Sequence, residues 1–315
     1  MTTVIDNSKI SKHLGQKSEY KDQYDSNILV REPRSSNREH LGIDDDDLPF
    51  VGYDMWNAYE VSGLTHNGFP ATGVAKIVYP CDSKYLVESK SLKLYFNSFN
   101  MYRCGDTPKE VLLYISEKTE EDLSKKLETD VKVHIIDGHD DFNRGHTLLT
   151  SSLFPSWQYK TIEAQFTDTY LKNMVINEYT ETPELLDIDD RSFDRIDGAH
   201  KDYIHCGLLK SNCRVTSQPD WGDVYIYIKS HNLIELSSLL KYIVSFRDEC
   251  HFHEEICETI YKRLSNIFLP SELCVTCLYA RRGGLDINPV RASSTELINR
   301  NLIDPKTLHL KTLKQ

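Results

Sequence analysis

The chain has 315 residues, with 37 Lys+Arg against 48 Asp+Glu, a formal net charge of −11. At about 150 residues per domain this length predicts two domains or one large one, big enough to bury a core without disulfide or metal staples. A mean hydropathy of −0.48, with no uncharged apolar run near about eighteen residues, excludes a helical membrane span. The acidic balance argues against sequence-blind nucleic-acid binding, which needs Lys and Arg on phosphates.

Residues 1–50 read as a polar leader ending in Asp44-Asp45-Asp46-Asp47, a solvated charge run rather than a spacing that wraps a cation. The start, Met1 to Lys9, lacks a basic region followed by an apolar stretch, so no secretory leader is expected and the protein is expected in the cytoplasm. The eight cysteines are then expected to be reduced.

From Trp56 the pattern becomes regular. Residues 56–63 and 71–79 read as strands joined through His66-Asn67-Gly68. A helix is expected around 90–101. A clearer one begins at Thr107-Pro108-Lys109-Glu110, where Thr107 is the N-cap, Pro108 the first helical residue and Glu110 the other half of a capping box. Val131 to Ile136 alternates as a strand. Residues 137–200 read as connection or insertion, with a loop at Asp137–Asp141, an acidic stretch over 182–198 and a strand near 160–167.

The order then repeats. Tyr203–Leu209 and Val224–Ile228 read as strands, and Leu236, Leu239, Leu240 and Ile243 recur at helical spacing. A second helix from about 252 aligns Ile256, Ile260 and Leu264. Cys274–Tyr279 is a strand, followed by the turn Arg281-Arg282-Gly283-Gly284. Strand, strand, helix, helix, strand occurs twice, with room for a fourth strand each time. This predicts an α+β protein of two similar modules, 51–136 and 201–292, each an antiparallel sheet with a helix pair on one face. The connection 137–200 could add strands to the first module, and 293–315 is a C-terminal tail.

No Gly-rich dinucleotide or phosphate-loop fingerprint occurs. Cys274 and Cys277, with Cys250, His251, His253 and Cys257 upstream, invite a zinc reading. An odd separation on a strand points the first two to opposite faces, so no metal is expected. Between the two strands of the second module, Pro219-Asp220-Trp221-Gly222 is turn chemistry that can bring Cys213 and Asp220 to one sheet end. From the residues alone, a buried thiol and a turn aspartate are the simpler reading. A nucleophilic cysteine with a proton-transfer partner is the alternative. In Phe252-His253-Glu254-Glu255 the carboxylates either complement the helix dipole or accept from the N–H groups of a guanine-like edge, with Phe252 packing on the ring. Lys90 and Lys93, and separately Arg281 and Arg282, are either phosphate contacts or solvated surface.

Glu88-Ser89-Lys90-Ser91-Leu92-Lys93-Leu94-Tyr95 closely resembles the signature of the NADPH-dependent 7-cyano-7-deazaguanine reductases, the nitrile reductases of the queuosine pathway of tRNA modification. Ser211-Asn212-Cys213, Gln218 to Gly222, Val244 to Arg247, Phe252-His253-Glu254 and Arg281 to Pro289 resemble that family too, in the order of its longer, two-module type. The resemblance covers about residues 15–136 and 203–292. It implies tandem tunnelling-fold (T-fold) modules, a homodimer, and reduction of the nitrile of 7-cyano-7-deazaguanine to 7-aminomethyl-7-deazaguanine with two NADPH. It implies Cys213 as nucleophile through a covalent thioimidate, Asp220 as proton donor, and His253 either assisting proton transfer or positioning the imine. Glu88, Ser89, Phe252 and Glu254 would hold the base, and Ser89, Lys90, Ser91, Lys93, Arg281, Arg282 and Gly283 the NADPH. The competing reading is a cysteine-dependent hydrolase or amidine-forming relative acting on the same base without NADPH. The length of 137–200 and the Cys274/Cys277 pair depart from the family pattern.

Overall fold

The computed structural model describes residues 23–137, 147–190 and 198–310. The first 22 residues, His139, Asp140, Asp141 and His146 of the connection, part of its acidic stretch, and residues 311–315 lie outside the described residues.

The order of elements follows from where apolar periodicity changes. Strand β1 (Arg31–Pro33) and helix α1 (Ser35–Leu41) precede the long hairpin of β2 (Val51–Leu64) and β3 (Pro70–Pro80). A short β4 (Tyr85–Val87) leads into α2 (Ser89–Asn97), then α3 (Pro108–Leu127) and β5 (Lys132–Ile136). As the capping pattern predicts, α3 starts with Thr107 Oγ1 accepting from the Glu110 N–H at 3.2 Å. The Glu110 carboxylate reaches one residue further back than a capping box requires, to the Asp106 N–H.

The connection contains β6 (Thr147–Leu149), α4 (Thr150–Leu153), β7 (Lys160–Thr161) and α5 (Asp168–Asn173). The second half is β8 (His200–Cys213), β9 (Pro219–Ser230), α6 (Leu236–Ser245), β10 (Cys250–His251), α7 (His253–Phe268), β11 (Glu272–Tyr279) and β12 (Leu285–Ala292). Helix α8 (Arg300–Ile303) and β13 (Leu308–Leu310) follow.

The expected α+β class, with antiparallel strands and a helix pair on one face, is observed. The two sets of strands do not stay separate, however. β12 pairs with β2 over eight residues, Leu285↔Ala58 to Ala292↔Val51, so one nine-stranded sheet runs β10-β8-β9-β11-β12-β2-β3-β5, with β7 beside β8. The first module's fourth strand, β4, pairs with β1 in a separate two-stranded sheet, and the connection adds no strand to this module among the described residues. β7 of the connection joins the second module instead, and β6 pairs with β13. The strand expected over 160–167 is only two residues long, because a 3-10 turn takes over at Glu163.

Alternation along the strands sorts the side chains into two layers. On the helical face one core gathers Ile226, Leu240, Ile260 and Val275 under α6 and α7. Its neighbour gathers Trp56, Ile77, Leu92 and Ile115 under α2 and α3. The opposite face carries a third cluster, including Met55, Tyr227, Leu278 and Val290, covered by Phe154 from the connection and by Ile298 and Leu302 from the C-terminal segment. Buried Lys76 pins that segment by donating to the carbonyls of Leu302 and Thr307 at 2.7 and 2.6 Å. Cys277 belongs to the helical face and Cys274 to the other, as their odd spacing predicts.

A buried ionic seam lies where the two helical-face cores meet. Arg291 of β12 is fully buried and bridges Asp54 of β2 (2.8 Å) and Glu258 of α7 (2.8 Å). Arg34 and Arg38, from the segment read as a polar leader, reach the same carboxylates: Arg34 bonds Asp54, and Arg38 bonds Glu258 at 2.8 Å. Asp45, one of the four consecutive aspartates, completes the set on Arg38 at 2.8 Å. Among the described residues no helix is long and apolar enough to cross a membrane.

Candidate active site

One cavity of about 210 Å³ opens on the helical face beside this seam, and both modules line it. That is below the roughly 300–1,000 Å³ common for drug-sized ligands, so it suits a bicyclic base better than a dinucleotide. Val87, Glu88, Ser89, Lys90 and Lys93 enter from the first module; Cys213, Asp220, Phe252, His253 and Glu254 enter from the second, with Arg282 and Gly283 at the rim.

Cys213 closes β8, and its N–H donates to the Gln218 carbonyl at 2.8 Å across the turn. Ser211 pairs with Asp220 in the β8–β9 register, so Cys213, two positions on, shares a sheet face with Asp220 as a diagonal neighbour. Asp220 is buried and bidentate: Oδ1 accepts from Arg282 Nη1 at 2.6 Å, and Oδ2 lies 3.3 Å from His253 Nε2. Burial pushes its carboxyl upward, but His253 and Arg282 outweigh it, and the net effect is below the ordinary aspartate value. Asp220 is thus a carboxylate in the free protein. The His253 ring stacks on Tyr279 with centroids 3.8 Å apart, which fixes its orientation.

Glu254 sits in the first turn of α7, one turn before Glu258 of the seam. It is 2 % exposed and its Oε1 has no hydrogen-bond partner. Burial, then the Asp54 charge, push its carboxyl up to about 8 against the opposing pull of its own N–H, Arg34 and Arg291. Glu88 is the N-cap of α2: its carboxylate accepts from the N–H groups of Lys90 (3.1 Å) and Ser91 (2.6 Å). The α2 terminus is therefore already satisfied by its own cap, and anions at this rim would meet lysine side chains instead. Phe252 is the N-cap residue of α7, where its N–H donates to Glu255.

Two expected contacts are not at the cavity. Ser91 is buried, its hydroxyl bonded to the Glu88 carbonyl and the Val30 N–H. Arg281 lies over the Tyr59 ring, 4.4 Å from its centroid. Gly283 and Gly284 both hold left-handed backbone, φ +60 and +81, as the tight turn requires. A Cβ on Gly283 would lie 3.7 Å from Lys93 Nζ, so the lysine signature and this turn form one rim.

The sequence raised His251 only within the zinc reading that was set aside. This histidine pairs in register with Cys213, lines the cavity, and is clamped by Glu249 at 3.0 Å and Glu255 at 3.2 Å. Burial pushes its imidazole down, but the two carboxylates overcome this and raise it to about 9. The seam of Arg34, Arg38, Asp54, Glu258 and Arg291 was missed. Its only sequence signals are Arg34/Arg38 and Glu254/Glu258, each pair spaced i,i+4 on one helix face. Among the described residues no group of three His, Cys, Asp or Glu side chains could hold a metal ion.

The site is assembled from two modules, with cations on one side and a cysteine with acids on the other. The comparisons with known proteins give its class as nitrile reductase. Residues 20–135 match the family described as "Nitrile reductase, 7-cyano-7-deazaguanine-reductase N-term", and residues 219–297 match "QueF-like protein". Proteins named NADPH-dependent 7-cyano-7-deazaguanine reductase match across most of the chain. The one from Colwellia psychrerythraea is 38% identical over 285 residues, covering 90% of this chain and 92% of its own length. Those from Rickettsia massiliae (38%, 89% and 92%) and Chromohalobacter salexigens (38%, 90% and 92%) are similar. The chain belongs to the family of NADPH-dependent 7-cyano-7-deazaguanine reductases and is an oxidoreductase.

Proposed function

We propose that this chain reduces the nitrile of 7-cyano-7-deazaguanine to a primary amine, with Cys213 as nucleophile and two NADPH consumed. The observation that carries the reading is one cavity into which the Glu88–Lys93 signature and Cys213, Asp220, His253 and Glu254 converge from different modules.

The residues fit both molecules. The unpartnered Glu254 oxygen offers a buried acceptor to the adjacent N–H donors of a guanine-like edge, and Glu88, held rigid by its capping bonds, offers a second. Phe252 lies beside them to pack on the ring. Lys90, Lys93 and Arg282 form a cationic rim of the kind that phosphates need, with Ser89 and Gly283 between them. NADPH, when bound there, supplies hydride.

The chain's own groups do the rest. Cys213 sulfur adds to the nitrile carbon as one π bond of the C≡N group opens, giving a thioimidate. The thiol proton passes through the Asp220–His253 pair to the nitrogen, so no external acid is needed for this step. Once hydride reaches the carbon and a proton the nitrogen, the C–S bond breaks, Cys213 leaves as thiolate and an imine remains beside His253. A second hydride and proton complete the amine.

Mixing the protein with NADPH and the cyano base should oxidise two NADPH per base and raise a thioimidate absorbance that Cys213→Ala lacks. Consumption of the base without NADPH oxidation would favour the hydrolase reading. The sheet edge at β5, unpaired among the described residues, supports association as a homodimer; sedimentation as a monomer at micromolar concentration would refute that.

A further inference from the structure

Arg282 is the point where the cationic rim meets the proton-transfer pair. Both of its terminal nitrogens are committed to the 216–220 segment. Nη1 bonds Asp220 Oδ1 (2.6 Å) and reaches the Gln218 carbonyl (3.5 Å); Nη2 bonds Thr216 Oγ1 (2.7 Å) and Gln218 Oε1 (2.9 Å). Yet the side chain is 37% exposed, lines the cavity, and sits next to Gly283, against which Lys93 lies. The guanidinium that neutralises Asp220 is therefore also the one that faces a phosphate arriving at the rim. With both forks occupied it cannot serve both anions in this geometry.

The reaction asks opposite things of Asp220. Formation of the C–S bond requires a group that accepts the Cys213 proton, which a carboxylate does. Each later hydride addition requires a proton, ultimately from solvent, to be held beside the nitrogen. The titratable and charged groups facing Asp220 are Arg282 from the β11–β12 turn, His253 from α7, Tyr279 from β11 and Cys213 from β8. Of these, only Arg282 also stands at the rim.

We propose that Arg282 is a positioning residue that ties the proton state of Asp220 to dinucleotide occupancy. Bonded to Asp220 in the dinucleotide-free protein, it keeps the carboxylate ready to accept the thiol proton. Drawn to a dinucleotide phosphate, it releases Asp220 to carry a proton for the nitrogen. This inference rests on the reading of the rim as the NADPH site, and it adds an order to the chemistry: the covalent adduct forms best before the dinucleotide arrives.

The test follows the Asp220 carboxyl by ¹³C NMR in the full-length protein labelled at aspartate, with the signal assigned through Asp220→Asn and NADP⁺ as a non-reducing probe. In the wild type, saturating NADP⁺ should move the Asp220 titration upward by about one unit, the low end of what loss of a neighbouring opposite charge produces. Arg282→Met should show the raised titration without NADP⁺ and no further shift with it, while Arg282→Lys should restore part of the response. The acid limb of the pH profile for thioimidate formation, measured with base alone, should move in the same direction in Arg282→Met. The proposal is overturned if bound NADP⁺ leaves Asp220 unmoved, or if Arg282→Met still responds. Failure of NADP⁺ to bind sinks both the rim reading and the proposal. Absence of adduct and of NADPH oxidation sinks the reaction alone, since the carboxyl titration still decides the coupling.

Discussion

Raising the pH from about 7 to about 8.5 should tighten binding of 7-cyano-7-deazaguanine about eightfold. The perturbed group is Glu254, whose carboxyl is pushed up to about 8 by burial and by Asp54, with Arg34 and Arg291 pulling the other way. Tyr79 and Tyr279, both buried and both raised well above the ordinary tyrosine value, also face it but stay neutral throughout this range. If the base edge is bound by the carboxylate, affinity scales with the ionised fraction, about 0.09 at pH 7 and about 0.76 at pH 8.5 for a group titrating at about 8. The ratio is about eight. Isothermal calorimetry on Cys213→Ala, in which the proposed adduct cannot form, reads this directly. Repeating it in buffers of different ionisation heat should show about 0.9 proton released per base at pH 7 and about a quarter of a proton at pH 8.5. Glu254→Gln should flatten the pH dependence and weaken binding at pH 8.5 by about 10- to 100-fold, the worth of hydrogen bonds to a charged acceptor. A pH-independent affinity with no buffer-dependent heat would refute the assignment of Glu254 as the base anchor. So would a pH dependence that survives in Glu254→Gln.

Other parts of the structure give separate tests. Arg291→Met leaves Asp54 and Glu258 buried without their shared partner and should cost about 3–5 kcal/mol in denaturant unfolding; a loss under about 1 kcal/mol would show that Arg34 and Arg38 hold the seam unaided. His251, raised to about 9 against an ordinary value of 6.5, contributes stability that is complete below pH 6.5 and is lost as pH climbs through 9. His251→Gln should therefore flatten the fall in melting temperature between those limits, as read by thermal scans, and an unchanged slope would count against the clamp. Removing a rim charge, Lys90→Ala or Lys93→Ala, should raise KM for NADPH about tenfold and lessen its salt dependence while changing KM for the base little; equal effects on both substrates would place the lysines elsewhere.

The sequence carried the order of elements because each strand and helix announces itself locally. Thr107-Pro108 fixes where α3 starts, and Val224–Ile228 alternates because one face of β9 meets α6 while the other meets Phe154 and Tyr159. What it did not carry was the merger of the two modules into one sheet. That depends on β12 presenting to β2 a row of backbone groups whose pairing leaves no mark on either strand's own alternation. The same reason hid Arg34 and Arg38. In a polar stretch an arginine reads as solvent-facing, and only the approach of Asp54 and Glu258 from residues 20 and 220 positions away makes it a buried one.

The hidden parts and the legible parts of the site also explain each other. Cys213, Glu254 and the lysines stand out as candidates through short runs of sequence that need several side chains from one element. Their electrostatic states were set by groups those runs do not contain. Glu254 is held toward its protonated form by burial first and then by the nearby Asp54 charge, while Arg34 and Arg291, which pull the other way, are already engaged by Asp54 and Glu258. Asp220 is kept charged against its burial by His253 and by Arg282, which reaches it across the β8–β9 turn. Two carboxylates in one cavity are thereby held in opposite proton states before any ligand arrives. Under the proposed reaction that asymmetry leaves one acid ready to give up its proton as the base docks and one carboxylate ready to take the proton of the attacking thiol.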